Sequence, residues 1–159
     1  DLRQLLEAAE AAQRAVAREQ GVALAVEPDA GVRPLRVDPE KVGIVLANLV
    51  SNAVRHTPAG GRVTLGAARD GAALRITIRD TGEGVSPEEL ARLFERDGRA
   101  ARSAHPHAPG RHGLGLTIAQ EIVLQHGGEL VARSDPGRGS VFTVALPLSE
   151  GSPDVRASA

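Results

Sequence analysis

Apolar side chains recur along this chain at two periods, one helical and one extended. In residues 2–20, LRQLLEAAEAAQRAVAREQ, the positions Leu2, Leu5, Leu6, Ala9, Ala12 and Val16 fall near one stripe, and good helix formers fill the rest. The segment reads as an amphipathic helix. VALAVE at 22–27 alternates as a half-buried strand, PDAG at 28–31 reads as a turn, and RPLRV at 33–37 as a second short strand. Asp38-Pro39 then opens a helix, with Asp as N-cap and Pro in the first helical position. That helix runs to about His56 on a stripe of Val42, Val45, Leu46, Leu49 and Ala53, and stops at TPAGG.

Strands follow at about 62–68 and 73–80, joined by a turn at Asp70-Gly71. Ser86-Pro87-Glu88-Glu89 is a capping box for a short helix that ends near Phe94. From Asp97 to Arg111 the pattern has no period, and a stretch of that length inside a domain reads as a functional lid or a disordered segment. A helix from about Gly115 to His126 is closed by Gly127-Gly128, and strands at 129–134 and 140–147 form a last pair. The elements predict an α+β fold, a two-layer α/β sandwich in which helices cover one face of a mixed, mostly antiparallel sheet. Residues 1–150 form one domain with a lid at about 95–115, and GSPDVRASA at 151–159 is a loose tail.

One residue breaks the strand pattern. In LRITIRDTGEG at 74–84, Leu74, Ile76 and Ile78 face one way, and Asp80 is next on that face. A carboxylate that continues a buried stripe, followed by glycines on either side of Glu83, needs a partner.

Composition narrows the chemistry. A chain of 159 residues and 16.5 kDa supports one domain with a real core. The absence of Cys removes disulfides, thiolate metal sites and nucleophilic Cys, and a net charge of −1 without a dominant basic run speaks against nucleic acid as partner. VGIVLANLV at 42–50, the longest strongly apolar stretch, is far short of a bilayer span. With no Met at position 1 and no signal peptide, the chain reads as a piece of something larger. Lys41 is the only lysine among nineteen basic residues, and it sits in DPEKVG. Neither a Walker A loop nor the strand lysine of a Ser/Thr/Tyr kinase can be built.

Three constellations could carry chemistry. Asn48, Asn52 and Arg55 lie within roughly 60° of one another on the second helix, a polar ridge that is either a solvated face or a set of hard oxygen ligands for Mg²⁺ with a grip on phosphates. Gly82/Gly84, Gly113/Gly115 and Gly137/Gly139 allow close backbone approach, yet Pro87, Ile118 and Phe142 stand where a dinucleotide fingerprint needs its third glycine. The Gly113/Gly115 pair sits where loop becomes helix, which suits an anion, although each pair alone also reads as an ordinary turn. Between Arg96 and His112, Arg96, Arg99, Arg102 and Arg111 outnumber Asp97 and are joined by His105, His107 and His112. A polyphosphate under such a lid is the better-supported reading, and a metal held by the histidines the lesser one.

Taken in order, NLVSNAVRHTP (48–58), DTGEG (80–84), FER (94–96), GLGL (113–116) and DPGRGSVF (135–142) resemble a known set. They are similar to the N, first glycine, F, second glycine and third glycine boxes of the catalytic ATP-binding domain of bacterial sensor histidine kinases. The resemblance runs from VDP at 37–39 through ALP at 145–147. It implies the fold shared by gyrase, heat-shock chaperone, histidine kinase and mismatch-repair ATPases, with ATP and Mg²⁺ as cofactors. It also implies roles. Asn52 would ligate Mg²⁺, with Asn48 and Arg55 near the phosphates, and His56 would lie against the nucleotide. Asp80 would accept from the adenine amino group, with Gly82 and Gly84 letting backbone and a water pass beside the base. Gly113 and Gly115 would hinge the lid and meet the phosphates beside Leu114 and Leu116; Gly137 and Gly139 would shape the turn behind the base, where Ser140 shares that water; Arg96 and Arg99 would reach toward the polyphosphate.

Two departures stand out. FERDGR carries Asp97 and Gly98 where the F motif continues to a second aromatic, and GRHGLGL has Arg111 or His112 in place of one glycine. Members that hydrolyse ATP place a Glu one turn before the Mg²⁺ Asn, and here that position is Asn48, which cannot take a proton from water. The resemblance therefore implies transfer to another nucleophile, a histidine on the dimerisation domain of the same kinase, the parent being a homodimer with a response regulator downstream. The five histidines, at 56, 105, 107, 112 and 126, are not in the phosphoacceptor setting. The fragment would be cytoplasmic, without membrane contact of its own, in a parent that is soluble or anchored in the inner membrane. A nucleotide-binding regulator without transfer, a chaperone- or repair-type ATPase and an anti-sigma-type Ser kinase are the competing readings.

Overall fold

A computed structural model of the protein describes residues 2–28, 38–100 and 114–148. The elements are α1 (Leu2–Gln20), β1 (Ala23–Pro28), α2 (Pro39–His56), β2 (Arg62–Asp70), β3 (Ala73–Asp80), α3 (Pro87–Ala100), α4 (Leu114–Gln125), β4 (Glu129–Asp135) and β5 (Gly139–Pro147). The strands form one sheet in the order β1-β2-β3-β5-β4. β1 runs parallel to β2 because α2 lies between them in the chain, and the remaining pairs, β2 with β3, β3 with β5 and β4 with β5, are antiparallel. The sheet is mixed and mostly antiparallel, with helices on one face, as the sequence predicts.

The inward stripes are continuous across the strands. Val63 and Leu65 of β2, Leu74, Ile76 and Ile78 of β3, and Val144 of β5 are fully buried, and Phe142 nearly so. Above them α2 buries Val42, Val45, Leu46, Leu49, Val50, Ala53 and Val54, two residues more than the predicted stripe, because this helix is covered by α1 and α4 as well as by the sheet. Asp38 caps α2, accepting from the N–H groups of Glu40 (3.1 Å) and Lys41 (3.3 Å), as its Asp-Pro start predicts. Ser86 and Glu89 exchange the two bonds of a capping box at α3. Among the described residues no helix is long and apolar enough to cross a membrane.

Two expectations are corrected. α1 buries Leu2, Leu6, Ala9 and Ala17, while Ala12 and Val16 are exposed. Its buried stripe drifts one residue over the helix, and small Ala17, not Val16, meets the neighbouring layer. α3 does not stop near Phe94 but continues to Ala100, so the first residues of the expected lid are helical. Glu95, Arg96, Arg99 and Ala100 are adequate helix formers, and one interior Gly98 costs only about 1 kcal/mol in a helix already capped. The expected strand at 33–37, most of the lid and the tail at 151–159 lie outside the described residues.

Candidate functional site

The site begins where the apolar stripes end. β3 carries Leu74, Ile76, Ile78 and then Asp80 on its inward face; β4 carries Leu130, Ala132 and then Ser134; β5 carries Ser140 before Phe142 and Val144. Registers pair Ile78 with Phe142, Phe142 with Ala132, and Ser140 with Ser134. At one end of the sheet, therefore, a polar row of Asp80, Ser140 and Ser134 replaces the apolar rows.

Asp80 is 4% exposed and, with Thr57, one of two buried polar residues among those described. Its Oδ1 accepts from the N–H of Gly82 (2.9 Å) and the N–H of Ser140 (3.1 Å). Both hydrogen bonds that the carboxylate accepts among the described residues go to this one oxygen. The partner that the sequence calls for is thus supplied in part by the protein itself: half of the group is held by backbone. Burial pushes the carboxyl above the usual carboxylate range, while the two N–H groups and the charge of His56 work in the opposite direction.

The glycines around Asp80 are demanded by the protein's own backbone. Gly139 has φ +90°, and a Cβ there would overlap the carbonyl of Asp80; Gly84 has φ +64°, and its Cβ would overlap the carbonyl of Asp135. At Gly82 a Cβ would lie 2.5 Å from the carbonyl oxygen of His56 and 2.8 Å from Asp80 Oδ1. The DTGEG loop is in this way pressed between the end of α2 and the β4–β5 hairpin. Two hydrogen bonds hold it there, from Gly137 N–H to the Glu83 carbonyl (2.6 Å) and from Val85 N–H to Ser134 Oγ (2.8 Å). Ser134, which also contacts the Gly139 carbonyl (3.2 Å) and Ser140 Oγ (2.9 Å), was not among the sequence candidates. Its signal was parity, since it continues an inward apolar stripe just as Asp80 does.

On α2, Asn48 and Asn52 are half-buried and Arg55 and His56 exposed. Asn48 donates from Nδ2 to the Ile44 carbonyl (3.0 Å), and its Oδ1 would lie 3.0 Å from a Cβ on Gly115 at the start of α4. The ridge therefore runs from Gly115, beside Asn48, past Asn52 to the backbone of His56, beside Gly82, a span of about 12 Å at 1.5 Å per residue. Asp80, Gly82, Gly84, Ser140 and His56 come together at one end, and Asn48 with Gly115 at the other. Leu116 is 7% exposed and belongs to the core, so it supports the start of α4 from behind. Arg96 and Arg99 lie on α3, and Leu114 opens α4; the side chains of these three, Gly113, and the lid histidines 105, 107 and 112 lie outside the described residues.

The family described as histidine kinase-, DNA gyrase B-, and HSP90-like ATPase matches residues 37–150. Sensor protein DivL of Caulobacter vibrioides is 41% identical over 130 residues, 82% of this chain and 16% of that protein. Sensor-like histidine kinase SenX3 of Mycobacterium bovis is 44% identical over 102 residues, 64% of this chain and 25% of that protein. The chain thus spans a quarter or less of these curated relatives. Among solved structures, full-length ShkA in complex with AMPPNP is similar at a TM-score of 0.78 and 30% identity over 93% of this chain and 30% of that one. The catalytic domain of histidine kinase ThkA, at 0.76 and 22% identity over 93% of each chain, is a likeness of fold.

Proposed function

The chain belongs to the histidine kinase-, DNA gyrase B- and HSP90-like ATPase family, and from that premise we propose that it binds Mg-ATP and presents the γ-phosphoryl group to a histidine on the dimerisation domain of a parent sensor kinase. The observation that carries the reading is Asp80, buried at the end of an apolar stripe with one oxygen bound by backbone. A site that turns the other oxygen toward an amino-bearing base discriminates strongly, because the wrong base leaves a buried acceptor unmatched.

The ridge on α2 serves the other end of the nucleotide. Mg²⁺ takes few protein ligands, all oxygens, and keeps waters and substrate phosphates for the rest. The amide oxygens of a half-buried Asn52 and Asn48 fit that demand, with Asn52 as ligand, and Asn48 is already oriented by its donation to Ile44. When bound, the ion neutralises charge on the phosphates. The chain's own contribution is positioning: Asp80 fixes the base, Arg55 and the start of α4 at Gly115 supply donors for the phosphates, and Arg96 and Arg99 add positive charge for the polyphosphate. In the transfer an imidazole nitrogen bonds to the γ-phosphorus as the bond to the departing ADP oxygen breaks. Asn48 offers no base for water, which favours transfer over hydrolysis.

A chain supplied with radiolabelled Mg-ATP and the dimerisation domain of its parent is expected to yield acid-labile, base-stable phosphoprotein on that domain. ATP bound without such a product would leave a nucleotide-binding regulator, and rapid hydrolysis by the chain alone would favour an ATPase of the chaperone or repair type.

A further inference from the structure

Ser134 stands at a junction that the family roles leave unused. Its hydroxyl has one proton and two lone pairs, and it makes three contacts: Val85 N–H at 2.8 Å, the Gly139 carbonyl at 3.2 Å and Ser140 Oγ at 2.9 Å. Only one assignment satisfies all three. The amide of Val85 can only donate, so Ser134 accepts from it. The carbonyl of Gly139 can only accept, so Ser134 gives it its single proton. Ser140 must then donate its own proton to Ser134, which leaves the Ser140 oxygen an acceptor toward the site.

The consequence lies in one peptide plane. The carbonyl of Gly139 and the N–H of Ser140 belong to the same rigid unit, so fixing the carbonyl fixes the direction of the N–H. That N–H is one of the two groups holding Asp80 Oδ1. Gly139, at φ +90°, is the residue where such a plane turns most readily, and no Cβ is there to restrain it. The same hydroxyl pins the far end of the DTGEG loop through Val85.

We infer that Ser134 is a positioning residue for base selection: by locking the Gly139–Ser140 peptide plane and the end of the DTGEG loop, it commits one oxygen of Asp80 to backbone and keeps the other aimed at the amino group of the purine. The inference rests on the ATP reading of the site. Ser134→Ala removes the lock, and Ser134→Thr keeps the hydroxyl on a strand that favours β-branched residues.

The test is competition binding of Mg-ATP and Mg-ITP, which share sugar and phosphates but differ in the amino group, to native chain and both variants. The native chain is expected to prefer ATP, the alanine variant to lose about tenfold of that preference, and the threonine variant to keep it. A loss of global packing would weaken both nucleotides alike and leave the ratio unmoved. Ser134→Cys, whose thiol is a poor hydrogen-bonding group, replaces the alanine variant should that chain not fold, with the same expectation. An unchanged ratio in the variant lacking the hydroxyl, or a threonine variant that behaves like alanine, overturns the role of Ser134 alone. A native chain indifferent to the amino group overturns the reading of Asp80 and this inference with it.

Discussion

Asp80 accounts for most of what the sequence reveals about the site, since a carboxylate in phase with Leu74, Ile76 and Ile78 can be recognised by counting. What cannot be counted is how it is satisfied. The donors come from Gly82, two residues on, and from Ser140, sixty residues away, and the second depends on the register of β3 with β5. The glycines were legible as points of close approach, but what approaches at Gly84 and Gly139 is the protein's own carbonyl groups.

A pH signature follows from the burial of Asp80. Its folded-state carboxyl titrates above the usual range, so between the ordinary value and the raised one the folded chain holds more proton than the unfolded chain. Stability contributed by the protonated form is therefore present at low pH and lost as pH rises through the folded value. Asp80→Asn keeps an acceptor oxygen for Gly82 and Ser140 and has no charge to bury. Without nucleotide, the variant is expected to gain stability relative to native as pH climbs from about 3 toward 7. Urea unfolding of both chains across that interval checks it, and a stability difference that does not change with pH would rule it out.

At the level of elements, local chemistry marks every helix start and the ends of α1 and α2, and departs from the structure at the end of α3. The Asp38-Pro39 start of α2 and the Ser86–Glu89 box of α3 both stand in the structure as their residues predict. The end of α3 does not, because loss of apolar period does not end a helix whose backbone needs only tolerable propensity to continue. The stripe of α1 passes through Ala17 and not Val16, because an ideal repeat ignores which side chain is small enough for close packing. The cap of α2 offers a clean separation of stability from binding. Asp38→Ala removes the acceptor for Glu40 and Lys41 and is expected to cost about 1 kcal/mol. The cap lies about 15 Å along the helix from Asn48, so nucleotide affinity should hold. Thermal unfolding with and without ATP measures both; a large loss of affinity would mean that the α2 ridge is not a rigid unit.

Across the whole molecule, one end of the sheet differs from the rest. The apolar rows of β3, β5 and β4 give way together to Asp80, Ser140 and Ser134, and α2 runs alongside with Asn48, Asn52 and His56. The proposed base end and the proposed phosphate end thus lie along one helix. Fold class and most of this constellation were readable from the motif order, because each motif marks a strand end or a helix face. The tie through Ser134 was not, since it exists only once three strands are in register. Phosphotransfer to the parent's dimerisation domain tests the activity as a whole, but the assignment of the base site is the claim on which the rest depends. Calorimetric titration of Mg-ATP into native chain and Asp80→Asn tests it directly. The exchanged oxygen becomes a donor facing a donor, so the variant is expected to bind at least tenfold more weakly while folding at neutral pH no less stably than native. Equal affinity in the two chains would contradict the account.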